Sequence, residues 1–155
     1  MASWLVQMSL VASLFTLFTH HAKTAEDLVM SLRNSLLLEG GFHSERVATE
    51  QVVDTINFDI HMKKTEDGHR FIERITEIIP RKEILVESGC NNPGDDLTGG
   101  LFITSDIIAF DGNQYVVQSD LSEGTISKIK SHLRKEEIED FEKDLREWRQ
   151  LLGKN

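Results

Sequence analysis

Apolar and polar positions change rhythm several times along this chain. From Trp4 to Thr19 no residue is charged. Residues 3–12 read as a short buried helix, and residues 14–19, rich in Leu, Phe and Thr, as a buried strand. That strand would carry Thr19, His20 and His21 to its end, just before a helix begins. In α/β nucleotide-binding folds such strand ends hold the ligand-facing groups. Thr24 suits a helix N-cap, and Glu26 and Asp27 fall in the first turn, where the helix dipole favours acids. Leu28, Leu32, Leu36 and Leu37 recur at helical spacing, and Gly40-Gly41 ends the helix. Ser44 caps a second helix with Val47, Val52 and Ile56 on its apolar side.

The rhythm then shifts to strands. Phe58, Ile60 and Met62 alternate with polar residues from Asn57 to Lys63. Thr65-Glu66-Asp67-Gly68 is a turn, with Gly68 supplying the positive φ. Phe71, Ile72, Ile75, Ile78 and Ile79 form the return strand, which Pro80 helps to end. Glu83–Val86 suggests one more short strand, and residues 87–100, rich in Gly, Asn and Asp, a flexible loop. Leu101–Phe110 and Gln114–Gln118 pair across Asp111-Gly112-Asn113. Ser122 opens a helix carrying Ile126 and Ile129. Ile138, Phe141, Leu145, Trp148 and Leu152 follow at spacings of 3, 4, 3 and 4, a helix with one apolar face. The fold class expected is α/β with antiparallel hairpins and a helical C-terminus. Its segments are 1–86, the loop 87–100, and 101–155.

Composition narrows the function. The 155 residues are 39% hydrophobic and 28% charged, as in a globular domain with a real core. A formal charge of -9 opposes binding to duplex DNA or RNA, whose phosphates it would repel. Cys90 is the one cysteine, which rules out an internal disulfide and fits a reducing compartment. The apolar start lacks the basic leader of a signal peptide, because Met1-Ala2-Ser3 precede it. It is also shorter than the roughly 20 apolar residues of a membrane span. A buried segment is expected there, with an export or anchor segment as the alternative.

The Thr19-His20-His21-Ala22 element, with Lys23-Thr24-Ala25-Glu26-Asp27-Leu28 directly after it, resembles the end of the His box of type II/type IV secretion ATPases. The tight-adherence-pilus and conjugation branch is the nearest in pattern. Three later elements keep the order and spacing of that family: Val53-Asp54-Thr55-Ile56-Asn57-Phe58-Asp59-Ile60, Asp67-Gly68-His69-Arg70, and Ile75-Thr76-Glu77-Ile78. Asp106-Ile107-Ile108-Ala109-Phe110 resembles the family's closing strand. The family's phosphate loop and acidic boxes lie ahead of the His box, whereas 18 residues precede Thr19 here. The Gly-His that opens the box is missing, and an expected arginine is displaced to Arg33. The chain has no Gly-x-x-x-x-Gly-Lys-Ser/Thr loop; its one Gly-Lys pair is Gly153-Lys154.

The resemblance thus implies a partial P-loop-type nucleotide-binding domain. It would be the truncated or split C-terminal part of a hexameric secretion or pilus-assembly ATPase, inactive alone. ATP and Mg²⁺ are implied for the complete machine but not for this chain by itself. The implied partners are further copies or the remaining ATPase half, and inner-membrane secretion or pilus proteins, but no nucleic acid. The implied location is cytoplasmic, peripheral to the membrane. The alternative is a non-enzymatic assembly module that binds a secretion or pilus partner through its C-terminal helix. A small soluble or exported domain with an accidental likeness is a further rival.

By the same resemblance, His21 is the catalytic and nucleotide-contacting candidate, answering to the γ-phosphate, with Thr19 to orient it. An imidazole can donate a hydrogen bond or carry charge at this pH. A satisfied histidine at a strand end explains His21 equally well. His20, pointing the other way on a strand, has a structural role. No metal site is expected. His20 and His21 would diverge on a strand, and His43, His61, His69 and His132 are scattered. Cys90 reads as an inert loop thiol. Asp111 reads as a turn residue and Asp95-Asp96 as a solvated loop. Arg70, Glu73, Arg74 and Glu77 read as a solvent-facing strand surface, with contact to a neighbouring subunit as the alternative.

Overall fold

The computed structural model describes residues 16–39, 41–81 and 100–152. It is an α/β fold with one antiparallel sheet of four strands and helices at its C-terminal end. The elements in chain order are α1 (Ala25–Glu39), α2 (Glu45–Thr55), β1 (Phe58–Lys64), β2 (Arg70–Pro80), β3 (Phe102–Phe110), β4 (Tyr115–Val117), α3 (Glu123–His132) and α4 (Lys135–Leu152). The strand order is β1-β2-β3-β4, so each strand lies beside its sequence neighbour. The chain divides into two compact units. One comprises Met1–Asp59 with Ile78–Thr104, the other Ile60–Glu77 with Ser105–Asn155.

In the first unit, both helices begin on hydroxyl caps. The Asp27 N–H donates to the Thr24 hydroxyl at 3.0 Å, and the Val47 N–H to the Ser44 hydroxyl at 3.5 Å. Gly41, at φ 70°, takes the left-handed backbone that follows α1. Ala25, Leu28, Val29, Leu32 and Leu36 of α1 pack with Ala48, Val52 and Val53 of α2, and Ile56 and Ile78 close the cluster. Val47 is 45% exposed instead of facing this core. It lies about 140° around the helix from Val52 at 100° per residue, whereas Ala48 and Thr49 fall on the buried stripe.

The strand expected over residues 14–19 does not form in its described part. Residues 16–22 have no regular structure, and Thr19, His20 and His21 are exposed. A strand needs a ladder beside it, and an apolar run supplies only the side chains. Here Phe18 and Ala22 pack against the α1–α2 core instead, and Leu17 stays 77% exposed. The expectations for residues 3–12, 83–86 and nearly all of 87–100 lie outside the described residues.

The second unit follows its turn and cap signals closely. Gly68 (φ 97°) and Gly112 (φ 102°) occupy the two hairpin turns. The Asp111 carboxylate accepts from the N–H groups of Asn113 and Gln114, both at 2.8 Å, and closes the second turn. Beyond it, β3 and β4 pair antiparallel, with Ile108 opposite Val117 and Phe110 opposite Tyr115. The Phe110 ring lies 5.3 Å from both the Phe71 and Tyr115 rings. Ser122 caps α3 by accepting from the Thr125 N–H at 3.2 Å.

Candidate functional site

Three places in the described residues gather polar chemistry, and each lies within one unit. The first is the segment ahead of α1. It carries Thr19 and His21 into solvent, and His20 Nε2 stands 3.5 Å from the Ser31 hydroxyl on α1. His20 is itself exposed, so this is a surface contact, and the strand from which its structural role was read is absent from the described residues. Thr19 and His21 do not sit at the end of a sheet strand, because no strand forms at residues 16–22.

The second is an open groove of about 370 Å³ in the same unit, lined by Arg33, Glu45, Arg46, Thr49, Gly100 and Leu101. Its two guanidinium groups are engaged with neighbours. Arg33 donates to the Asn34 side-chain oxygen at 2.9 and 3.2 Å and lies 3.7 Å from Glu45. Arg46 pairs with Glu50 at 2.9 Å, one helical turn along. A groove whose cations already face carboxylates and amides presents little net positive field to a phosphate.

The third is a polar network in the second unit, built around Glu77. This carboxylate is fully buried. Glu77 accepts from the Ser122 N–H at 3.0 Å and from the Ser122 hydroxyl at 2.6 Å. Beside it, Thr76 donates to Asp106 at 2.6 Å. Ser119 donates to the Asp106 carbonyl at 2.7 Å and lies 2.8 Å from the Ser105 hydroxyl. The Trp148 indole N–H donates to the Ser119 carbonyl at 3.3 Å. Arg149 reaches Asp120 at 2.5 Å and Glu123 at 3.3 Å.

This network corrects one expectation. Glu77 is not on a solvent-facing strand surface; it anchors a helix. Period-2 alternation could have flagged this, because Glu77 shares its strand face with Ile75 and Ile79. The stripe on α4 is also turned inward. Leu145 is buried, and Ile138, Phe141, Trp148 and Leu152 are half-buried. The stripe therefore docks within its own unit, the usual course for a helix with one apolar face.

On β2, Glu73 accepts from Lys63 and lies 3.2 Å from Arg74 and 3.6 Å from His61. The hydrogen bond from Lys63 holds its carboxyl below the usual range, and the charges of Lys63, Arg74 and His61 add to this. Asp111 is likewise lowered, by the backbone N–H of Gln114 and then that of Asn113.

ATP and magnesium need converging N–H donors, a lysine and an oxygen ligand set. Of the residues singled out for nucleotide, Thr19 and His21 are exposed on an irregular segment, and the displaced arginine, Arg33, is turned to Asn34 and Glu45. No cluster of three or more His, Cys, Asp or Glu side chains suited to a metal ion occurs among the described residues. No helix among them is long and apolar enough to cross a membrane. No family model and no curated protein matches this chain.

Proposed function

We propose that the chain is a non-hydrolysing, subunit-contacting component of a secretion or pilus-assembly ATPase, equivalent to the part of the P-loop domain that follows the phosphate loop. What supports this reading is the order of elements from residue 25 to residue 80. A helix stops near Gly41, a second helix follows, and then a hairpin with Asp67-Gly68 at its turn leads into Ile75-Thr76-Glu77-Ile78. This is the order that the resemblance implies.

On this reading the phosphate loop, the acidic boxes and the bound Mg-ATP are supplied from outside these residues. His21 and Thr19, exposed just ahead of α1, would meet that nucleotide across a subunit boundary. The hydrolysing assembly would be cytoplasmic and peripheral to the membrane, with inner-membrane secretion or pilus proteins as its targets. Calorimetric titration of the isolated chain with Mg-ATP tests this. No binding at physiological ATP is expected, and tight binding would overturn the reading.

A non-enzymatic assembly module is the second reading. The α4 stripe it would use has Leu145 buried and Ile138, Phe141, Trp148 and Leu152 half-buried. An exposed apolar row on β1 gives it a different surface.

A further inference from the structure

Strand β1 has its polarity reversed. Its apolar residues Phe58, Ile60 and Met62 are 38%, 50% and 57% exposed, while Asp59 and His61 between them are half-buried. Among the described residues β1 is also an edge of the sheet. An edge strand with an apolar exposed row is a template for pairing unless something covers it.

The backbone fixes which groups are offered. The Thr65 N–H donates to the His69 carbonyl, and the Ile78 N–H to the Asn57 carbonyl. Residues 57 and 65 therefore turn their peptide groups towards β2. By alternation, the peptide groups of Phe58, Ile60, Met62 and Lys64 point away from β2, to the open edge.

The sequence of β1 is self-complementary about His61. Antiparallel pairing of two copies with His61 on the two-fold axis sets Ile60 opposite Met62, Phe58 opposite Lys64, and Asp59 opposite Lys63. The outward-facing residues then form the hydrogen-bonded pairs, as the backbone requires. The two apolar rows merge on one face. On the other face, each Asp59 meets a Lys63 of opposite charge, which favours this register over its neighbours.

We propose that β1 is a homodimerisation edge: two copies of this chain pair their β1 strands antiparallel about His61 and continue one sheet into the other. Such an interface is isologous and closed. It is independent of the nucleotide reading and stands or falls without it.

Sedimentation velocity of the full chain over a concentration series reads the mass, and a dimer is expected. Ile60→Pro removes one outward N–H and leaves the β2 ladder intact, a change edge strands tolerate. It should weaken dimerisation at least about tenfold, the effect of roughly 1.4 kcal/mol. A second measurement does not depend on the proline variant folding. Facing residues of a non-hydrogen-bonded pair have Cα atoms about 4.5 Å apart, within disulfide range. In a Cys90→Ser background, His61→Cys should therefore cross-link under mild oxidation, whereas Asp67→Cys in the exposed turn should not. A chain that is monomeric at every concentration overturns the proposal. So does a dimer that cross-links equally through positions 61 and 67, or one that a folded Ile60→Pro variant leaves unchanged.

Discussion

A carboxylate cut off from solvent persists in a fold where donors surround it, and Glu77 meets two of them from the single residue Ser122. Replacing Glu77 with Ala takes the acceptor from both of these part-buried donors. The expected loss is about 2–3 kcal/mol of unfolding free energy, read by urea denaturation. A loss below about 0.5 kcal/mol, the level of an ordinary surface substitution, would contradict the role given to this side chain. Glu73 makes a prediction in pH. Its carboxyl is lowered from an unfolded value near 4.5, chiefly by the Lys63 hydrogen bond. A lowered carboxyl contributes stability above the unfolded value and loses it as pH falls through the folded value. The acid limb of the melting temperature, below pH 4.5, should therefore flatten in Glu73→Gln; an unchanged acid limb would count against the pairing. Neither role was readable from residue type. Glu77 and Glu73 stand four apart on one strand; alternation places both beside apolar residues, and the partners that tertiary structure brings separate the helix anchor from the ion pair.

At the scale of elements, local chemistry was most legible where one residue type dictates a backbone state. Ser44 and Ser122 cap the helices they were expected to cap, and Gly68 and Gly112 hold the positive φ of the two hairpin turns. Gly112→Ala should cost about 1–2 kcal/mol for a side chain forced into left-handed backbone, measurable as a shift of the urea midpoint. Packing follows similarly on α1. Leu36 is fully buried against α2, and Leu36→Ala should cost about 2–5 kcal/mol; a cost below 1 kcal/mol in the same urea assay would mean that the site is not core. Pairing was not legible. Residues 16–19 have strand-forming side chains but no neighbouring ladder, and they pack through Phe18 instead. The alternation in β1 marked a strand correctly, yet alternation alone does not say which face is covered. Phe58, Ile60 and Met62 lie on the exposed one.

For the whole molecule, the α/β class and the hairpin-then-helix order follow from turn and cap signals, whereas the nucleotide site rests on likeness of sequence. Among the described residues, the two that likeness selects, Thr19 and His21, are exposed on an irregular segment, and the displaced Arg33 is engaged with Glu45. On the proposed function, these residues meet a nucleotide only when the phosphate-binding part of the machine presents it. Titration calorimetry of the full chain with Mg-ATP, run beside His21→Ala, tests it most directly. No binding heat at physiological ATP is expected for either protein. Saturable binding by the chain alone, abolished in His21→Ala, would contradict it.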